Sequence, residues 1–172
     1  ALSGAPANGD QIIINPTANQ PVFTGNRTIA NGGSITVNSG ALLTIHAEMG
    51  DEIEALRSHY FKSEPNGPLA HGLSRPPQTE SLAVARAIEL GIKTSCPLYF
   101  VHVSCADSLK HIREAQKNGH KVYAEACLHH LIFDESRYHA PFHEAAPFVF
   151  SPPLRPASDR EALWEGLADG TI

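Results

Sequence analysis

Cysteine, methionine and tryptophan are nearly missing from these 172 residues, which hold three, one and one of them. Cys96, Cys105 and Cys127 are odd in number and lack the spacing of a metal knot. That argues against a disulfide framework and fits a reducing compartment. Cys105 follows an apolar strand and invites a nucleophile reading, but a free cysteine ordinarily behaves as a small buried hydrophobe. No apolar run approaches the length that spans a bilayer, and no basic-then-apolar leader opens the chain. It begins at Ala1 rather than Met, as expected of a processed product or an excised piece. Positive charge is also scarce. A net charge of -5 and a pI near 6.0 argue against nucleic acid or an anionic membrane as partner.

The first 40 residues lack lysine and histidine and carry one acid, Asp10, and one base, Arg27. Asn, Gly, Thr, Ser, Ala and Pro dominate instead. Short β-branched runs at Gln11–Ile14, Arg27–Ile29 and Ser34–Val37 are separated by Asn-Gly, Gly-Gly and Ser-Gly pairs, the turn chemistry that divides short strands. The spacing over Thr28–Gly40 resembles rungs of bacterial β-solenoids, and a hairpin-forming leader fits equally well. Residues 1–40 therefore read as a short all-β segment of foreign character, distinct from residues 41–172.

Two stretches dominate what is present. Leu98-Tyr99-Phe100-Val101-His102-Val103-Ser104 is an uncharged apolar run that ends in a histidine, and Ala41–Glu48 repeats that grammar around His46. Buried parallel strands read as continuous apolar runs, and chemistry gathers where they end. Neutral imidazole is the commonest metal ligand, so two strand-end histidines form half of a zinc-type site. The plainer alternative is that each ring bonds a neighbouring loop.

Helical periods separate these strands. Ile53, Leu56, Tyr60 and Phe61 recur at three- and four-residue steps, after acids that suit a helix start. Residues 63–78 read as a Pro/Gly loop. Leu82, Ala85, Ile88 and Leu90 predict one face of a helix that stops at Gly91. Ser104 with Asp107, and Ser158 with Glu161, have the spacing of capping boxes, the first ahead of Leu109, Ile112 and Ala115 and the second ahead of Leu163, Trp164 and Leu167. Another strand is expected over Lys121–Cys127. Adjacent His129 and His130 should point apart on regular backbone and so read as loop residues. Alternating strands and helices with short connections predict βαβ units and a parallel sheet, either part of a barrel or part of an open sheet.

Four motifs in one order carry a resemblance. His46-Ala47-Glu48-Met49-Gly50-Asp51, Ser74-Arg75-Pro76-Pro77 with Glu80, Val101–Cys105, and Ser151-Pro152-Pro153-Leu154-Arg155 are together similar to the hydantoinase and dihydropyrimidinase branch of the cyclic amidohydrolases. The resemblance covers about residues 40–172. It implies an α/β fold, a partial (β/α)8 (TIM) barrel preceded by the short all-β segment. It also implies a cytoplasmic location, whereas the N-terminal segment alone suggests an extracellular one.

Enzymes of this branch open a cyclic amide such as a hydantoin or dihydropyrimidine with two divalent metals, usually zinc. Their ligand set is a His-x-His pair, a carbamylated lysine, two further strand-end histidines and an aspartate, with a tyrosine at the oxyanion. His46 and His102 match the last two histidines, and Ser151 matches the serine that holds the substrate through its main chain. Arg75 falls in a motif that is mainly structural. No His-x-His occurs here, the first lysine is Lys62, and the first tyrosine is Tyr60. The resemblance therefore assigns no catalytic residue and an incomplete zinc site. Glu48 or Asp51 is a further carboxylate candidate, though a helix N-terminus would satisfy either.

Three functional readings follow. The first is a piece of a cyclic amidohydrolase, inactive alone, acting with a small cyclic amide. The second is a self-assembling structural subunit on a recruited barrel scaffold, and the third a metal-binding module built on His46 and His102. Part of a barrel would expose strand edges, so a homo-oligomer is expected.

Overall fold

The computed structural model describes residues 11–14, 34–37, 41–63 and 67–172. The chain divides into two compact units, Ala1–Leu43 and Thr44–Ile172. In the first, β1 (Gln11–Ile14) and β2 (Ser34–Val37) pair in parallel, with Gln11 opposite Ser34 and Ile14 opposite Val37. Parallel neighbours cannot be joined by a tight turn, so β1 and β2 are not a hairpin. The run Arg27–Ile29 lies outside the described residues.

The second unit is built on a three-stranded sheet in the order β3 (Leu43–Ile45), β4 (Leu98–Phe100), β5 (Val122–Ala124). β4 and β5 run parallel, with Leu98 opposite Val122 and Phe100 opposite Ala124. Leu98 and Phe100 are almost wholly buried, as an uncharged run in a central strand requires. The strands are shorter than the apolar runs. Consequently His46 follows β3 directly, and His102 stands two residues beyond β4.

Helices α1 (Gly50–Ser63), α2 (Pro68–Leu73) and α3 (Pro77–Thr94) connect β3 to β4. The stretch expected to be a Pro/Gly loop thus holds a helix, because Pro68 sits in the first turn where a missing N–H costs nothing. α3 also departs from expectation. Thr79, Glu80, Ser81, Val84, Ile88 and Gly91 are buried, whereas Leu82 and Leu90 are about half exposed. The buried face is partly polar, which the hydrophobic pattern cannot report. Gly91 lies inside the helix instead of ending it, and a Cβ there would meet the Leu98 side chain at 2.7 Å. The terminus falls at Ser95, in the left-handed conformation with φ 55°.

α4 (Ala106–Lys117) buries Ser108, Leu109, Ile112 and Ala115, as its period predicts, and packs on α3 and on α7 (Ala157–Asp169). Neither capping box forms. Ser104 turns instead toward Glu80, and the Ala106 N–H donates to Asp159 Oδ1 at 2.7 Å from the other capping-box segment. Pro156, not Ser158, precedes the first turn of α7. Leu163 is buried but Trp164 is exposed, its indole N–H donating to the Leu131 carbonyl at 2.9 Å. Leu167, 42% exposed, leaves the expected face as well, since Gly166 takes the contact against Leu109.

Between β5 and α7 run the short helices α5 (Leu128–Ile132) and α6 (Phe142–Ala145), with a 3-10 turn at Glu135–His139 between them. His129 and His130 therefore sit on a helix, with ring centroids 4.3 Å apart. Being a short turn after β5, α5 does not separate the rings as a regular element would.

Candidate functional site

The two strand-end histidines meet. His46 Nδ1 and His102 Nε2 lie 3.0 Å apart, with their rings edge to face at 4.8 Å between centroids. Two backbone features bring this about. The Val101 N–H donates to the Ile45 carbonyl at 3.2 Å, which aligns the ends of β3 and β4. His102 then adopts φ 44°, a left-handed conformation uncommon outside glycine that costs about 1–2 kcal/mol. Burial, reinforced by the neighbouring His46 charge, holds the His102 pKa below its ordinary value, so the ring favours its neutral form.

Glu48 fixes the other side of His46. Its side chain is only 4% exposed, and Oε2 lies 3.1 Å from His46 Nε2. Ser151 Oγ donates to that same oxygen at 3.0 Å. Burial alone would raise the carboxyl pKa. The His46 hydrogen bond and charge, followed by the Ser151 bond, outweigh burial and hold Glu48 below its usual value. The expectation that a helix N-terminus would satisfy Glu48 is overturned: its carboxylate serves the histidine and the serine. Asp51 is exposed in the first turn of α1.

Several side chains immobilise the segment that carries Ser151. Prolines at 152 and 153 remove two donors and leave carbonyls needing partners. His71 Nε2 bonds the Phe150 carbonyl, and His130 Nε2 bonds the Pro152 carbonyl at 3.0 Å. The Leu154 N–H donates to Tyr138 Oη at 2.8 Å. Arg155 enters a buried cluster, donating from Nε to Ser104 Oγ at 3.0 Å and from Nη1 to the Arg75 carbonyl. Its Nη2 lies 3.5 Å from Glu80, which also accepts from the Ser104 N–H at 3.1 Å. Arg75 acts as a loop clamp, reaching His71 Nδ1 at 3.1 Å and Ser74 Oγ at 3.2 Å. Burial raises the Cys105 pKa to about 12, so this thiol is no nucleophile at neutral pH.

The donor set has the spacing a divalent ion requires. With zinc–nitrogen bonds of about 2.0–2.1 Å, two imidazole nitrogens on one tetrahedral ion stand roughly 3.3 Å apart. The 3.0 Å observed between Nδ1 and Nε2 is within a few tenths of that. The Glu48 contact leaves His46 Nδ1 with its lone pair when Nε2 carries the proton, the carboxylate–histidine arrangement found behind metal-ligating rings. On these grounds His46 and His102 fit a metal. Of the two carboxylate candidates, Glu48 reaches His46 and Asp51 does not, whereas His130 was not legible as a site residue because nothing in its local sequence marks it as buried.

Two strand-end imidazoles, one backed by a buried carboxylate that also bonds a serine, make up the candidate site. No family model matches the chain. It is 38% identical over 136 residues to a D-hydantoinase of Ralstonia pickettii, covering 79% of this chain and 30% of that protein. It is 40% identical over 133 residues to a D-hydantoinase of Geobacillus stearothermophilus, covering 77% and 28%. Among solved structures, the D-hydantoinase of Bacillus sp. AR9 matches with a TM-score of 0.75 at 40% identity over 77% of this chain and 29% of that one. The dihydropyrimidinase of Brevibacillus agri matches with a TM-score of 0.74 at 29% identity over 94% and 35%. Over more than three quarters of its length the chain is thus similar to the hydantoinases and dihydropyrimidinases. It spans less than a third of the length of the curated relatives named here.

Proposed function

We propose that residues 41–172 are the central part of a (β/α)8 barrel that hydrolyses the C–N bond of a small cyclic amide. In this reading His46 and His102 hold one divalent metal, zinc by donor type, and Ser151 holds the ring amide through its main chain. Residues 1–40 are in this reading a β-rich Asn/Gly/Thr segment of foreign character. The single observation that carries the reading is Glu48 Oε2, shared by His46 and Ser151, with His46 facing His102.

A bound divalent ion supplies polarisation of the ring carbonyl and acidification of water. The chain's own groups do the rest. Glu48 takes the His46 Nε2–H, which fixes the tautomer and leaves Nδ1 basic. His71 and His130 hold the carbonyls on either side of Ser151, so its backbone is presented without reorganisation. Two imidazoles bind an ion less firmly than the three or four ligands of complete zinc sites, so turnover of dihydrouracil or hydantoin by this chain alone is expected to be undetectable.

Equilibrium dialysis with zinc tests the metal assignment. His102→Ala should remove one equivalent per chain, and His46→Ala the same one, with native circular dichroism retained. Unchanged stoichiometry in both variants would refute it.

Self-association belongs to this reading as well. Leu128 and Ile132 on α5, with Trp164 and Leu167 on the adjacent α7, are all more than 40% exposed. Apolar side chains grouped in this way mark interaction surfaces. Light scattering should give a mass well above the 18.5 kDa of one chain, and a monodisperse single-chain species would count against the idea.

A further inference from the structure

Three donors outside the His46–His102 pair converge after β5. Cys127 immediately precedes α5, and His129 and His130 lie in its first turn. One ligand atom from each residue falls within 4.8 Å of the others, which makes this the three-donor cluster among the described residues. Leu128, the residue between them, is 68% exposed and turns outward.

The decisive group is His130. Its side chain is nearly sealed from solvent, at 3% exposure, and Nε2 is committed to the Pro152 carbonyl. A carbonyl only accepts, so the ring proton sits on Nε2 and Nδ1 carries a bare lone pair. That Nδ1 is buried with no hydrogen-bond partner. A buried acceptor left in this state is costly and calls for a physical explanation. A ring with one N–H anchored on a backbone carbonyl and its other nitrogen free has the form of a metal-ligating histidine. His129 is oriented by Phe150, their rings 4.1 Å apart and tilted by 30°.

We propose that Cys127, His129 and His130 form a second metal site, selective for a borderline transition ion of the zinc or cobalt(II) class. One thiolate and two imidazoles are a donor set such ions take, with a fourth position left to solvent. Binding forms the metal–sulfur bond as the Cys127 S–H proton leaves to solvent. The ion ties α5 to the Ser151-Pro152 segment through the His130 hydrogen bond, so its effect is to steady the part of the chain that faces the first site. The two sites are separable because they share no residue.

Titration of the full chain with cobalt(II) chloride reads this directly. A thiolate-to-cobalt charge-transfer band is expected in the near ultraviolet. It should persist in His46→Ala and His102→Ala, vanish in Cys127→Ser, and require at least tenfold more cobalt in His130→Gln. Absence of the band in the native chain overturns the site, and so does its survival in Cys127→Ser. Should Cys127→Ser fail to fold, alkylation of the native chain by iodoacetamide decides. Zinc must slow modification of Cys127 severalfold, as mapped by mass spectrometry, and an equal rate with and without zinc overturns the site.

Discussion

An Arg155→Met chain should unfold at a much lower urea concentration than the native chain, with a loss of about 3–5 kcal/mol. The side chains of Arg155 and Glu80 are 4% and 3% exposed. Glu80 has as further partners the Ser104 N–H and hydroxyl, with the Cys105 thiol at 3.5 Å. Removing the guanidinium leaves a buried carboxylate facing only neutral donors. The size of the effect is the cost of that orphaned charge, not the value of the pair. Combining Arg155→Met with Glu80→Gln should therefore recover part of the loss, because the two residues act as one unit. A single-variant loss below about 1 kcal/mol would show that the pair is solvated.

Acid should weaken the chain more than its surface carboxylates explain. Burial holds the His130 pKa down at about 4, against an ordinary value of 6.5. Between those values the unfolded chain binds a proton that the folded chain refuses, so stability falls as pH drops from about 6.5 toward 4. A depression of this size corresponds to about 3 kcal/mol. His71, also held below its ordinary value by burial, adds in the same direction. In His130→Gln, whose amide can still donate to the Pro152 carbonyl, the acid loss should shrink by most of that amount. Urea midpoints at pH 7 and pH 4.5, taken with chelator present, make the comparison, and parallel losses in both chains would refute the assignment.

Much of the site was legible because strand-end chemistry leaves a local signature. An apolar run closed by a histidine marks both His46 and His102 without knowledge of what surrounds them. The same locality limits what could be read. Ser104 and Ser158 have cap spacing, yet a serine hydroxyl chooses its partner among everything within reach, and a buried carboxylate draws Ser104 away from the helix end. On α3 a pattern rule assigns Leu82 and Leu90 inward, whereas the face that meets the sheet and α4 carries Thr79, Glu80 and Ser81. Polar groups can line an interior once they bond one another, and hydrophobic periodicity is blind to that.

The amino-acid sequence alone determined the alternation of strand and helix in residues 41–172, the two histidines at strand ends, the likeness to hydantoinases, and the changed character of the first 40 residues. Each of these depends on residue type and near-neighbour spacing, which one-dimensional order carries. Tertiary structure decided that the two imidazoles face each other, that Glu48 serves both His46 and Ser151, and that His130 is buried with an unmatched nitrogen. Those are contacts between residues as many as 103 positions apart. Their energies depend on which water is excluded and which partner is reached, quantities that exist only after the chain has folded.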